Sequence, residues 1–233
     1  MIGNRFFALQ LLIIFAWGFV ACSTLKVNSE YRKTRLSKKQ YVAECSNVIY
    51  KIELVKTKNG YEKRTRDTDA EDKAKSKVRE FLIKGETPYE FVMCNKVLNN
   101  DDYKQSIIDL MQSIRKQGVN TYIVPDLYRK YFLVPDTNYT LVINHYGFYR
   151  TKGDLTATTA TSVVMGILTL GGLTVAPIAA NSYFEYCVID TSTMKVVMYN
   201  LSNIEDDPVG EAVIFAHINQ LLDNMIAVGK SNR

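Results

Sequence analysis

The sequence predicts a single α/β (α+β) domain, a mixed β-sheet with helices packed against it, after a cleaved leader. Stretches with alternating apolar residues predict strands, and apolar residues at helical spacing predict the helices between them. Short polar connections separate these elements, which argues against a second domain. The 233 residues are 47% hydrophobic and 23% charged, an ordinary composition for a globular protein with a buried core.

The chain opens with a segment typical of a leader. The apolar run from Phe6 to Val20 follows Arg5 and is shorter than the roughly 20 residues of a spanning helix, but it suits a secretory leader. The residues before Cys22 are apolar, small and small ("FVA"), which resembles the lipobox of bacterial lipoproteins. The resemblance implies a signal peptide over 1–21, cleavage between Ala21 and Cys22, and lipid attachment at Cys22. A plain secretory leader and an uncleaved anchor are the alternatives.

Residues 22–40 are expected to form a lipid-anchored basic tether. From Lys26 to Arg79 the chain holds 16 Lys and Arg against 8 Asp and Glu, whereas from Glu80 onward it holds 12 against 16. Cations near a lipid anchor are attracted to anionic headgroups. The candidate membrane-surface contacts are Arg32, Lys33, Arg35, Lys38 and Lys39. A solvated tether is the alternative, and no aromatic-interleaved basic motif predicts nucleic-acid binding.

The first half of the domain, which spans 41–233, begins with a hairpin. Alternation in "NVIYKIELVKTKNGYEKRTR" and its Asn-Gly pair predict two strands joined by a tight turn. A helix over "DTDAEDKAKSKVREFLIKG" and a strand over "YEFVMCNKVL" follow. A second helix over "DDYKQSIIDLMQSIRKQG" places five apolar residues on one face: Tyr103, Ile107, Leu110, Met111 and Ile114.

The second half continues with a short strand in "VNTYIVP" and one or two helical turns in "DLYRKYF". "NYTLVINHYGFYR" predicts a long strand with Tyr139, Leu141, Ile143 and His145 on one face. "SYFEYCVIDTSTMKVVMYN" predicts a second hairpin. The last helix is expected in "DPVGEAVIFAHINQLLDNMIAVG", with Pro208 in its first turn.

A segment from Leu155 to Phe184 contains no Asp, Glu, Lys, Arg or His and is called the charge-free segment. It is long enough to span a bilayer, but Thr, Ser, Gly171-Gly172 and Pro177 interrupt it. A buried helix or loop, a surface for self-association or membrane contact, and a membrane span are the three interpretations.

The residues that usually carry catalysis or bind metals do not form a recognisable set in this sequence. His145 and His217, the two histidines, are expected to be structural or surface residues, and the carboxylate clusters precede predicted helices, where they stabilise the helix start. Cys45, Cys94 and Cys187 lie in apolar, strand-like contexts and are expected to be buried thiols, with at most one disulfide among them. We therefore predict no catalytic residues, no metal site, no cofactor and no enzymatic activity.

Taken together, "YEFVMCNKVLNNDDYKQSIIDLMQSIRKQG", "TYIVP", "YTLVINHYGFYR" and "EYCVIDTSTMKVVMYN" resemble a superfamily of envelope lipoproteins. It includes the curli-secretion lipoproteins, the lipoprotein activators of penicillin-binding proteins and the amino-terminal domain of the Tol-Pal propeller protein. The resemblance implies a protein that binds, assembles or regulates another cell-envelope component. The charge-free segment suggests that an envelope protein or a second copy contacts residues 155–184. An exported small-ligand carrier or hydrolase that uses a cleft in the domain is the alternative.

The residue after Cys22 predicts the membrane. Ser23 stands where some bacteria place an Asp that retains lipoproteins in the inner membrane. The sequence therefore favours a lipid-anchored protein of the outer membrane.

Overall fold

The computed structural model describes residues 22–32, 41–58, 61–84, 87, 89–93, 101–151, 153–154 and 178–230. The predicted signal peptide over 1–21 lies outside these ranges, and so does most of the charge-free segment, residues 155–177.

A mixed β-sheet forms the centre of the domain. Its six-strand path is β1-β8-β7-β6-β3-β4, while β2 also pairs with β8 and β5 with β3. β3 is parallel to β5 and β6, and the other pairs are antiparallel. The strands are β1 (Cys22–Ser23), β2 (Lys26–Val27), β3 (Tyr41–Lys58), β4 (Tyr61–Arg66), β5 (Glu90–Met93), β6 (Tyr139–Arg150), β7 (Ala180–Asp190) and β8 (Val196–Ile204).

Helices cover both faces of this sheet. Among the described residues they are α1 (Thr68–Lys84), α2 (Asp101–Gln117), α3 (Asp126–Phe132) and α4 (Glu211–Lys230). α1 and α4 enclose one apolar core with one sheet face, and α2 and α3 enclose a second core with the other face. The predicted α/β fold is confirmed.

The two long predicted helices form where their end signals lie. Asp67 caps α1, because its Oδ1 accepts the N–H of Ala70 at 3.0 Å. After α2 the chain turns at Gly118, whose φ of 84° is readily adopted by glycine and whose N–H donates to Ile114 O at 2.9 Å. The five apolar residues predicted on one face of α2 are all buried.

Two predicted elements differ from the structure. The strand expected in "VNTYIVP" is one isolated bridge between Ile123 and Lys195, and the chain bends into α3 at Pro125, which has no N–H to extend the pairing. The last helix begins at Glu211 rather than around Pro208, because a turn at Asp207 precedes it. In that turn Asp207 Oδ1 accepts the Val209 N–H at 3.0 Å.

Candidate functional site

Residues 22–32, here called the strap, lie along the outer edge of β8. Lys26 pairs with Tyr199 and Val27 with Met198, and β1 continues the pairing so that Cys22 lies opposite Asn203. Cys22, the predicted lipid attachment residue, therefore lies beside β8, one residue before that strand ends at Ile204.

Asn28 fixes the strap to the domain. Its side chain is 1% exposed, and its Nδ2 donates to Val119 O and to Val196 O, each at 3.0 Å. Its backbone N–H donates to Val197 O at 2.9 Å. Residues 24–32 therefore belong to the edge of the sheet and not to the tether expected over 22–40, because this polar stretch forms hydrogen bonds with an edge strand that lies far away in sequence.

The far end of the strap is tied to the β7–β8 turn. The Tyr31 hydroxyl donates to Asp190 Oδ2 at 2.8 Å, and burial raises the pKa of Tyr31 to about 12. Lys195 binds the Glu30 carboxylate at 2.7 Å. The strap thus crosses the edge of the sheet from the end of β8 to its beginning.

This path separates Arg32 from Cys22. Asn203, the partner of Cys22, and Val196, beside Asn28, are seven residue steps apart on β8, which corresponds to about 23 Å of strand. Arg32 follows Tyr31, so it does not lie beside the predicted anchor as expected. The other four candidate membrane contacts lie outside the described residues: Lys33, Arg35, Lys38 and Lys39.

The strands end progressively lower from β8 to β3. Cys22, Asn203, Tyr183 and Tyr146 are paired in one row across the sheet. Lower here means towards the carboxyl end of β6. Measured from this row in that direction, β8 ends one residue lower, β7 begins three residues lower, β6 ends four residues lower and β3 ends seven residues lower. We call this oblique boundary the lower rim; it runs through Cys22, Ile204, Ala180, Arg150 and Lys58.

Arg150, at the middle of the lower rim, binds one residue on each side of 155–177, the undescribed part of the charge-free segment. Its Nη1 donates to Asp154 Oδ2 at 3.2 Å, and its Nε donates to Ile178 O at 3.2 Å. The side chain is 5% exposed and also binds Glu62. The Thr57 backbone N–H, and then Arg150, lower the pKa of Asp154. Arg150, the last residue of β6, therefore links Asp154 and Ile178 to this end of the sheet.

Above the rim, on the α4 side of the sheet, lies a buried histidine chain. Ser182 Oγ is hydrogen-bonded to His145 Nε2 at 3.1 Å and to His217 Nε2 at 3.0 Å. Ser202 Oγ is bonded to His217 Nδ1 at 2.6 Å. All four side chains are fully buried. The sequence predicted structural or surface histidines; the structure places both in the core, and the sequence did not indicate that they would meet.

The environment of the histidine chain keeps both imidazoles neutral. Burial lowers the pKa of His145 to about 4. Burial, together with the neighbouring His145, lowers the pKa of His217 to about 3. The ring of Phe184 stacks on His217 with 5.1 Å between the ring centroids, which leaves no room for solvent there.

A carboxylate cluster occupies the opposite face. Glu185 is fully buried and accepts hydrogen bonds from Arg115 Nε at 2.7 Å, Arg115 Nη2 at 2.5 Å, Tyr199 OH at 2.6 Å and Asn144 Nδ2 at 3.1 Å. The Glu185 carboxylate raises the pKa of Arg115. Each Glu185 oxygen thus has two donors, and the cluster fixes the end of α2 to the sheet.

The remaining sequence predictions on chemistry are tested only in part. Cys187 is a buried free thiol, and burial raises its pKa; the side chains of Cys22, Cys45 and Cys94 lie outside the description. Within the described residues no group of His, Cys, Asp and Glu is arranged to hold a metal ion. The same part of the chain holds no helix with the length and apolar content to cross a membrane.

Comparisons with known proteins find only distant structural similarity. No family model matches the chain, and no curated protein matches it. Two structures of a PelC dodecamer from Paraburkholderia phytofirmans are similar in part, each with a TM-score of 0.36. They are 12% and 13% identical, with coverage of 89% and 87% of this chain and 99% and 96% of theirs. At this TM-score they carry no argument about the present protein.

Proposed function

We propose that the protein is a non-enzymatic lipoprotein of the cell envelope that binds, assembles or regulates another envelope component. Removal of residues 1–21 leaves Cys22 as the first residue, where acyl chains anchor the protein to the outer membrane. Several acyl chains hold a protein firmly, whereas one binds only marginally.

The position of Cys22 is the observation that carries this proposal. Cys22 lies on the lower rim, the same boundary at which Arg150 binds Asp154 and Ile178, the described residues on either side of 155–177. A stretch without charges that enters and leaves the domain at the anchored boundary suits contact with another apolar surface. We propose that residues 155–184 contact an envelope protein or a second copy of this chain.

The histidine chain supports a role other than catalysis. His145 and His217 are fully buried and hydrogen-bonded to Ser182, so neither ring is accessible to solvent in this conformation. Their low pKa values keep them neutral at physiological pH, as apolar core packing requires. These two residues are thus explained by stability.

Metabolic labelling with a palmitate analogue tests the anchor. The wild-type protein and a Cys45→Ala variant should both be labelled, whereas Cys22→Ala should lose the label and accumulate with its leader uncut. A Cys22→Ala protein that keeps its label would refute the anchor.

Photo-crosslinking in cells tests the partner. A photoreactive residue at Ile178, which is 44% exposed at the base of the charge-free segment, should give a discrete adduct. The same residue at Leu127, which is 70% exposed on α3, is the matched control. Equal adducts at both positions, or none at Ile178, would contradict a partner at this end.

A further inference from the structure

We propose that the lower rim faces the lipid surface to which Cys22 is anchored, so that the domain is held in one fixed orientation on the membrane. This inference rests on the proposed function, because it requires a lipid on Cys22. It adds which part of the domain meets the bilayer.

The first argument is that no flexible linker separates the lipid attachment residue from the domain. Thr24 N–H donates to Leu201 O at 3.4 Å, and Lys26 and Val27 are paired with β8. Asn28 then fixes the strap from inside the protein. A lipid on Cys22 is therefore joined to the rigid sheet with no flexible linker, and the glycerol group of the anchor must lie close to the lower rim.

The second argument is the slope of the rim. From the row of Cys22, Ala180 lies about 10 Å lower, Arg150 about 13 Å lower and Lys58 about 23 Å lower along the strands. Neighbouring strands are about 4.8 Å apart, so these positions also move steadily sideways. The boundary therefore descends stepwise from the anchor to the β3–β4 turn, so a surface inclined along this direction approaches all of these positions, with the twist of the sheet turning the boundary gradually.

The third argument is the composition of the rim. Tyr61, paired with Lys58 at the β3–β4 turn, is 80% exposed, and exposed tyrosines are favoured at the headgroup level of membranes. Lys56, Lys58 and Lys63 are exposed in the same hairpin, and Glu205 and Asp206 are exposed just after β8. An exposed tyrosine among lysines suits the headgroup region of a lipid surface.

Single tryptophans provide the test. Trp17, the one tryptophan of the chain, belongs to the leader, so the mature protein contains none. Tyr61→Trp and Ile178→Trp place a fluorophore on the rim, and Leu127→Trp, at an exposed site near the opposite end, is the matched control. Each lipidated protein is reconstituted into phosphatidylcholine vesicles with or without bromine on the upper acyl chain, since bromine quenches tryptophan at short range.

The orientation predicts that Tyr61→Trp and Ile178→Trp lose at least half of their emission in brominated vesicles, whereas Leu127→Trp is unchanged. Quenching of Leu127→Trp to the same extent, or no quenching of either rim variant in protein that floats with the vesicles, would overturn the orientation and leave the anchor intact. Protein that does not float with the vesicles would instead overturn the anchor, and with it the proposed function.

Discussion

Lowering the pH from 7 to 5 should destabilise the domain through its two histidines. In the unfolded chain a histidine has a pKa near 6.5 and becomes charged over this range. In the folded protein burial holds the pKa of His145 at about 4 and that of His217 at about 3. The unfolded state therefore binds more protons between pH 6.5 and 4, and stability falls as the pH falls through that window.

The size of the effect follows from the pKa difference. At pH 5 the unfolded histidines lie 1.5 pH units below their ordinary pKa, and each pH unit corresponds to about 1.4 kcal/mol per group. Lowering the pH to 5 thus reduces the free energy of unfolding by about 2 kcal/mol for each histidine and about 4 kcal/mol for the pair. Because both side chains are fully buried, solvent does not reduce this figure. A typical domain has only about 5 to 15 kcal/mol of stability, so the loss is large.

Urea unfolding of the soluble chain without residues 1–21, at pH 7 and pH 5, measures this loss. Carboxylates contribute little in this window, because their ordinary pKa values of about 4 lie below pH 5. Asp67 and Asp154, whose pKa values are lowered by Tyr149 and by the Thr57 N–H, lose their contribution only at more acidic pH. The matched control is the double variant His145→Gln, His217→Gln, which has no histidine left.

The double variant should lose nearly all of the difference between pH 7 and pH 5, and each single variant about half. Equal stability of the wild-type protein at the two pH values would refute the reasoning, because it would mean that the imidazoles become protonated without unfolding. A double variant with the wild-type pH dependence would assign the effect to other groups.

Three further substitutions test the packing of the domain. Gly147→Ala should lower the free energy of unfolding, measured in urea, by about 1 to 3 kcal/mol or more. The Cβ of the new alanine would overlap the Asn181 carbonyl and lie 3.0 Å from Pro208 Cβ. A variant with the stability of the wild-type protein would contradict this. Asn28→Ala should cost about 1 to 3 kcal/mol and speed tryptic cleavage at Lys26, since two buried carbonyls lose their donor; unchanged cleavage would mean that the strap is held by other contacts. Glu185→Ala should lower the free energy of unfolding by about 1 to 3 kcal/mol, because Tyr199 and Asn144 lose their acceptor inside the domain, whereas Arg115, which is 43% exposed, can be solvated. A cost below about 0.5 kcal/mol would contradict the role of the cluster.

Local patterns predicted the helices and hairpins well, because the signals lie within the elements themselves. The Asp residues before α1, Gly118 after α2 and the alternation in β6 each act on their own neighbourhood. The long hairpins follow from the same kind of pattern, and the pairing of Lys58 with Tyr61 confirms the first of them.

Contacts between distant residues could not be predicted in the same way. Residues 24–32 show no periodic pattern of apolar residues. Their defined conformation depends on pairing with the edge of β8 and on the hydrogen bonds of a single asparagine, Asn28. In the histidine chain, Ser182 joins His145, 37 positions before it, to His217, 35 positions after it. Nothing in the sequence around Ser182 indicates this role. Arg150 precedes the charge-free segment in sequence, but its role depends on the return of the chain at Ile178.

The mass of the amino-terminal tryptic peptide from protein isolated from cell envelopes tests the central claim most directly. The account predicts the peptide Cys22–Lys26 with a diacylglyceryl group on the thiol, and with further acylation in cells that modify the new amino group. The peptide 6–26 with its leader intact, or a peptide that begins at residue 22 or later without lipid, would contradict the anchor on which the proposed function depends.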